Sequence, residues 1–191
     1  IVGLQMAGLS LQGRADPSRF IRSFSGENRY VLDFLFDEVF QRQPEALQDF
    51  LLQTSVLDRF CASLCNAVTA RENSQAILDA LERGNLFLIA LDEQRKWYRY
   101  HHLFGDLLQS RLKHARPGAG APLHRRASEW YAAEHDLENA IAHAFAAEDY
   151  ERAAGLIEEI IPTLDLLVNR VLLASWVDRL PREALETHPW L

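Results

Sequence analysis

Apolar residues recur every three or four positions along most of this 191-residue chain, which is the spacing of amphipathic helices. The spacing predicts a short helix from Asp16 to Phe24, a longer one from Asn28 and another that begins at Pro44. Two further helices are predicted over 62–68 and 74–83. Proline in a first helical turn and glycine just after a last turn are typical of helix ends. The first 84 residues are therefore predicted to be mainly helical.

The period changes once, at a stretch whose pattern is typical of strands. An unbroken apolar run, 86–91, is followed by a polar turn, 92–95, and an aromatic-rich run, 96–100. This pattern predicts a β-hairpin, which is followed directly by a helix from about His102 to His114. Helices, one hairpin and a closing helix are the outline of a winged-helix domain, which we place at 28–114.

A second helical region follows the stretch ARPGAGAP, residues 115–122, which has the composition of a linker. Short helices joined by tight polar breaks then resemble tetratricopeptide helix pairs, although the repeat pattern is incomplete. The alanines that would let these helices approach closely are Ala140, Ala144, Ala153 and Ala154. The predicted fold class is therefore mainly α: a winged-helix domain with one β-hairpin, followed by TPR-like α-solenoid helical hairpins at 122–191.

Composition narrows the classes of function. The formal net charge is −7, which argues against a protein whose main task is to grip a nucleic acid backbone. Two cysteines are too few for a disulfide framework, so a cytoplasmic location is expected. The chain has no apolar stretch long enough to cross a membrane, and no membrane partner is expected.

The chain begins with the apolar stretch IVGLQMAGLSLQGR, without an initiator methionine, a helix-capping residue or the basic lead of a secretory signal. This start predicts that the chain is part of a longer protein and begins inside one of its helices. The end, Pro189-Trp190-Leu191, predicts in the same way that the helical array continues. The function of this chain is then expected to be one part of the function of the longer protein.

Two adjacent histidines, His101 and His102, stand where the predicted hairpin gives way to a helix. The residues alone leave four roles open: metal ligand, catalytic base, phosphate contact or packing. Cys61 and Cys65 lie four residues apart, which is not the close spacing of a zinc knuckle, and no G-x-S-x-G elbow is present. A helix N-terminus already favours an anion, and a histidine there adds a donor or a positive charge.

Three stretches, in this order, carry a family resemblance: RYVLDFLFDEVFQRQPEALQDFLLQTSVLDR, LERGNLFLIALDEQRKWYRYHHLF and RRASEWYAAEHDLENAIAHAFAAEDYERAAGLIE. Together they resemble the MalT-like, ATP-dependent LuxR-family transcriptional regulators, which belong to the STAND class of signalling ATPases. The resemblance covers essentially the whole chain. It implies that residues 1–27 are the end of an ATPase module, 28–114 a winged-helix domain and 122–191 the start of a TPR-like sensor domain.

The resemblance implies a non-catalytic regulatory fragment, not an enzyme, which couples the nucleotide state of an upstream ATPase module to a downstream sensor. ATP and ADP would be cofactors of the longer protein and not of this chain, because the phosphate-binding motif G-x-x-x-x-G-K-[ST] is absent. Its partners would be the ATPase module and sensor repeats of the same polypeptide, together with a small-molecule or protein inducer. DNA would be bound only through a C-terminal domain that this chain lacks.

The resemblance also gives the two histidines a role. In related STAND proteins, a histidine at the start of the last winged-helix helix contacts the β-phosphate of ADP, within a Met-His-Asp motif. His101 stands at the histidine position of that motif, and His102 stands where the aspartate would be. The resemblance therefore assigns nucleotide sensing to His101, with His102 as the alternative.

The alternative function is a winged-helix module that acts directly on DNA. Its recognition helix would be the predicted helix 74–83, which carries Asp79 and Glu82 against the single Arg83. That composition suits a phosphate-lined groove poorly. The hairpin residues that could contact phosphate or a partner are Arg95, Lys96 and Arg99. A solvated turn explains the same three residues.

Overall fold

The computed structural model describes residues 35–84, 86–163, 166–188 and 191. The helix predicted from Asp16, the predicted segment 1–27 and the first part of the helix predicted from Asn28 lie outside these residues. A π-helical turn spans Leu35–Phe40, and the strands are β1 (Leu88–Ala90) and β2 (Tyr98–Tyr100). The helices are α1 (Glu45–Thr54), α2 (Ala62–Thr69), α3 (Ser74–Arg83), α4 (His102–Ala115), α5 (Gly120–Ala133), α6 (Leu137–Ala146), α7 (Tyr150–Ile160), α8 (Leu166–Val177) and α9 (Arg182–Thr187).

The mainly helical fold class with one hairpin is confirmed for the part of the chain that the structure describes. The strands pair antiparallel, with Leu88 opposite Tyr100 and Ala90 opposite Tyr98. Phe60 adds an isolated bridge to this hairpin, because its N–H and its carbonyl each make a 2.8 Å hydrogen bond with the backbone of Tyr98. The loop before α2 is thereby fastened to β2, which the sequence pattern did not predict.

The chain divides into two compact units, each formed by more than one stretch of sequence. The first unit comprises Ile1–Ala62 and Asn73–Arg111, and the second comprises Ser63–Glu72 and Leu112–Leu191. Nearly all of helix α2 therefore belongs to the second unit. There the Arg126 guanidinium on α5 donates a 2.9 Å hydrogen bond to the carbonyl of Val68, near the end of α2.

The predicted domain bounds, 1–27, 28–114 and 122–191, stay predictions, because compactness alone does not test a domain boundary. The stretch predicted as a linker, 115–122, is shorter than its composition suggested, since α4 extends to Ala115 and α5 begins at Gly120. The proline at position 122 is compatible with this early start, because the N–H groups of a first helical turn have no partner within the helix.

Aromatic rings form the centre of the first unit. Phe50, Phe60 and Phe104 are fully buried, and Tyr98 is buried on β2. The ring centroids of Phe60 and Tyr100 lie 4.7 Å apart, and those of Tyr100 and Phe104 lie 5.9 Å apart at a near-perpendicular angle. Both distances are typical of favourable ring contacts, which add to the free energy of apolar burial. Other fully buried side chains of this unit are Leu51, Leu78, Leu81 and Leu108.

Three alanines set the helix contacts of the second unit. Ala127 on α5, Ala140 on α6 and Ala153 on α7 have no exposed surface, and each follows the last by 13 residues. A methyl group at the contact lets two helices pack at the short end of their usual separation. Ala144, which the sequence analysis also placed at a helix contact, is equally buried.

The two turns between α5, α6 and α7 share one backbone structure. Each helix is followed by a left-handed residue, His135 at φ 59° and Glu148 at φ 55°. The next residue, Asp136 or Asp149, donates its N–H to the carbonyl five residues earlier, which closes a Schellman motif. Its carboxylate then caps the following helix by accepting from the N–H three residues on, at 3.3 Å in both cases.

A glycine at position 148 is expected to stabilise the second unit. A side chain in the left-handed region carries a steric cost that glycine avoids, so Glu148→Gly should raise the free energy of unfolding by about 0.5–1 kcal/mol. The matched control is Glu129→Gly on the exposed face of α5, where glycine should lower it by about 1 kcal/mol. Urea unfolding of both variants checks the expectation, and a loss of stability in Glu148→Gly would contradict it.

Candidate functional site

The candidate site lies at the junction between β2 and α4. His101 links the two elements, and its backbone is fixed on both sides: its N–H donates to the carbonyl of Phe87 at 2.8 Å. Its own carbonyl accepts hydrogen bonds from the N–H groups of Phe104 and Gly105, both at 2.9 Å, which makes it the first acceptor of α4. The position of the junction is therefore determined by both strands of the hairpin and by the first turn of the helix.

A buried hydrogen bond anchors the strand that leads into the junction. The Tyr100 hydroxyl lies 2.7 Å from Thr54 Oγ1 at the end of α1, and both side chains are buried. The Thr54 hydroxyl also donates to the carbonyl of Phe50 at 2.8 Å. Since side chains alternate along a strand, burial of Tyr98 and Tyr100 leaves Arg99 on the exposed side.

The two histidines of the junction lie against each other. Their ring centroids are 4.3 Å apart, with His101 partly buried and His102 exposed. Burial lowers the pKa of His101 below its usual value of 6.5, and the neighbouring His102 and Arg99 lower it further. In the absence of an anion, His101 is therefore mostly neutral at neutral pH and offers one N–H donor.

The structure brings Arg99, His101 and His102 together, and we call these three residues the junction cluster. The effect of Arg99 on the pKa of His101 shows that its charge is felt at the imidazole. The cluster lies at the N-terminus of α4, a helix of 14 residues whose dipole favours an anion at this end. An exposed arginine, two imidazoles and a helix start form a set of donors that suits a phosphate group.

The other two candidate cations, Arg95 and Lys96, belong to the hairpin turn. Arg95 forms a 3.0 Å ion pair with Glu82 on α3, and Lys96 is exposed. The Asp92 carboxylate holds the turn by accepting from the N–H groups of Lys96 at 3.0 Å and Trp97 at 2.7 Å. These hydrogen bonds, with that of Lys96 the largest cause, lower the pKa of Asp92 below its usual range. The ion pair of Arg95 and the hydrogen bonds of Asp92 therefore account for the conformation of this turn.

Helix α3, the recognition helix of the alternative function, presents carboxylates to solvent. Asp79 accepts a 2.8 Å hydrogen bond from the Gln75 amide, and Glu82 pairs with Arg95. The guanidinium of Arg83 folds back to the carbonyl of Asp79, at 3.2 Å. This surface gives no row of cations for a DNA backbone, so the structure does not favour direct binding to DNA.

The residues that the structure describes contain neither a group of metal ligands nor a membrane-spanning helix. Cys65 is buried and Cys61 partly exposed, and the two form no disulfide. Among the described side chains, no group of three or more metal-ligating residues lies close enough to hold an ion. Within the same residues, no helix combines the length and the apolar character needed to cross a membrane.

Residues 36–120 match the family described as the MalT winged helix domain. This segment is similar to the MalT winged helix domain. It contains the hairpin, helices α1 to α4 and the junction cluster, so the predicted winged helix is confirmed and the candidate site lies inside it.

Similarity to known proteins extends beyond residues 36–120. The chain is 35% identical over 178 residues to the serine/threonine-protein kinase PknK of Mycobacterium tuberculosis, which covers 93% of this chain and 16% of the kinase. It is 36% identical over 148 residues to the HTH-type transcriptional regulator MalT of Klebsiella pneumoniae, covering 76% of this chain and 16% of the regulator. The MalT regulator of Vibrio campbellii is 30% identical over 162 residues, covering 85% of this chain and 18% of that protein. The chain thus spans less than a fifth of each relative.

The sequence analysis predicted similarity to MalT regulators and missed the similarity to a kinase. It also missed the contacts that hold the junction cluster. Thr54 and Tyr100 are 46 positions apart, and neither carries a local signal that would pair them. The adjacent histidines at a period change were the signal that located the cluster.

Proposed function

We propose that this chain is a non-catalytic regulatory fragment of a longer MalT-like regulator of the LuxR family. In this proposal, it couples the nucleotide state of a STAND-type ATPase module to a TPR-like helical sensor region of the same polypeptide. The observation that carries the proposal is the junction cluster, Arg99, His101 and His102, at the start of α4 within the MalT-type winged helix domain.

The electrostatics of the junction cluster support a contact with phosphate. A neutral His101 donates one hydrogen bond, and an approaching phosphate would raise its pKa by favouring the charged form. Arg99 and His102 are exposed and add donors around the same point. A contact of this kind, made only in the closed, ADP-bound state, would hold the winged helix domain against the ATPase module and stabilise that state by its own free energy.

The names of the relatives favour a regulatory role over an output role. One relative is named a kinase and the others transcriptional regulators, yet the chain aligns with all of them. A segment shared by proteins with different outputs fits an element that controls an output better than one that performs it. DNA contact, in this proposal, belongs to another domain of the longer protein, and an inducer acts on the sensor region in the cytoplasm.

The test is ADP release from a longer protein that contains the ATPase module. His101→Ala should speed ADP release by roughly ten- to hundredfold, because a charge-assisted hydrogen bond contributes about 1.5–3 kcal/mol. His102→Ala, measured in parallel, identifies which imidazole makes the contact. Melting temperature is recorded on each variant, so that a loss of folding is not taken for a loss of nucleotide.

The matched control is His114→Ala, near the other end of α4, which should leave ADP release unchanged. If both junction variants melt earlier but keep ADP as tightly as the unmodified protein, the histidines are packing residues. That result would remove the nucleotide-sensing part of the proposal.

A further inference from the structure

A histidine that stands between two carboxylates lies in the second unit, directly after α9. His188 is 15% exposed and stands between two carboxylates of α7. Its Nδ1 lies 2.8 Å from Glu158 Oε2, and its Nε2 lies 3.3 Å from Glu151 Oε1. The two glutamates are seven residues apart, two turns of the same helix, so both face α9.

This arrangement requires a particular protonation state of the imidazole. A neutral imidazole has one N–H and one lone pair, so one of its nitrogens would turn a lone pair toward a carboxylate. Only the imidazolium donates from Nδ1 to Glu158 and also places positive charge on Nε2, which is buried, makes no hydrogen bond among the described residues and lies at ion-pair distance from Glu151. Glu158 Oε1 is buried and has no hydrogen-bond partner among the described residues, so this carboxylate depends on His188 for compensation.

Few other polar contacts attach α9 to α7. Helix α9 has six residues, a length that is not stable as an isolated helix. The Thr187 hydroxyl donates to Glu151 Oε2 at 3.1 Å, and Ala184 is buried. The charged residues Arg182 and Glu186 pair with each other at 3.2 Å along the exposed side of α9. Among the described residues, the titratable groups that face His188 are Glu151 and Glu158, both from α7.

We propose that His188 is a proton-controlled latch that holds α9 on α7, closed while the imidazole carries both protons and released when it loses one. The hydrogen bond to Glu158 is the largest cause that raises the pKa of His188 above 6.5; burial opposes it, and the charges of Glu158 and Glu151 reinforce it. A raised pKa means that the stabilisation is complete below pH 6.5 and is lost as the pH rises through the folded-state pKa. The latch would therefore open on the alkaline side of 6.5.

Amide hydrogen exchange in the 191-residue chain tests the latch. Protection factors for α9 should fall roughly tenfold between about pH 6 and about pH 8.5, since a charge-assisted hydrogen bond contributes on this scale. In His188→Gln, protection should be low at both values. His135→Asn removes a different, exposed histidine of the same unit and should keep the pH-dependence of the unmodified chain.

A second variant keeps the proposal testable if His188→Gln fails to fold. Glu151→Gln removes one facing charge but leaves Glu158, so the pH of release should move downward, toward the ordinary pKa of histidine. Nuclear magnetic resonance of the His188 ring gives the pKa directly. A ring that titrates at or below 6.5, or α9 protection that is independent of pH in the unmodified chain, would overturn the latch.

Discussion

Acidification from about pH 6.5 to about pH 4 is expected to destabilise the second unit by about 3 kcal/mol through one histidine pair. His124 on α5 and His143 on α6 face each other, with their Nδ1 atoms 2.8 Å apart. The ring of Tyr131 stacks on His143 at a centroid distance of 5.4 Å. One proton between the two nitrogens makes a hydrogen bond, whereas a proton on each nitrogen would place two N–H donors face to face.

The direction of this change in stability follows from the pKa of His143, which burial and the neighbouring His124 lower from 6.5 to about 4. The unfolded chain takes up the proton first, so the stabilisation is complete above pH 6.5 and is lost as the pH falls toward 4. His188 does not complicate the measurement between pH 6.5 and pH 4, since its pKa is raised above this range.

Urea unfolding across this pH range gives the measurement. Carboxylates also titrate there, so the decisive quantity is the difference between the unmodified chain and His143→Gln, which keeps a polar side chain but cannot take up a proton. The variant should lose markedly less stability on acidification, while the His135→Asn control should lose as much as the unmodified chain. If the free energy of unfolding falls equally with pH in the unmodified chain and in His143→Gln, protonation of the histidine pair is not coupled to folding.

Removal of the Phe104 ring is expected to cost the first unit about 3–5 kcal/mol. Phe104 is fully buried in the first turn of α4, and its ring lies 5.5 Å from that of Phe87 and 5.9 Å from that of Tyr100. Phe104→Ala would leave a cavity between the hairpin and α4. The same change should loosen the backbone of His101, whose carbonyl accepts from the Phe104 N–H.

Hydrogen exchange of the α1 amides and of the α4 amides up to Arg111 measures this loss within the first unit. Phe104→Leu is the matched control, because it keeps an apolar side chain of similar reach and should cost less than about 2 kcal/mol. Comparable losses in the two variants would contradict this expectation, because the apolar volume that leucine keeps would then contribute nothing to stability.

The sequence predicted the elements whose signals are local. The hairpin followed from an apolar run, a polar turn and an aromatic run within 86–100, and its strands lie inside that stretch. Helix α4 followed from the apolar spacing after His102, and the structure ends it one residue beyond the prediction, at Ala115. Periodicity records the environment of each side chain, so it is informative wherever an element has one buried face.

What the sequence did not predict depends on residues that are distant in the chain. His124 and His143 are 19 positions apart, and His188 and Glu158 are 30 apart, so no spacing rule links them. The left-handed turn at Glu148 was missed for a different reason: glycine or asparagine normally marks such a position, and neither is present there. All three residues of the junction cluster were candidates from the sequence, whereas the hydrogen bond between Tyr100 and Thr54 that anchors it was not predicted.

The 13-residue interval between buried alanines in the second unit has a consequence for how such a chain can change length. A single inserted residue within α6 would rotate every later side chain by about 100° around the helix axis and turn Ala144 away from its neighbour. A gain or loss of 13 residues, one helix with its turn, would return each alanine to an equivalent place. Among natural variants of this unit, lengths should therefore differ by whole helix-and-turn steps, with smaller changes confined to the stretch between α4 and α5.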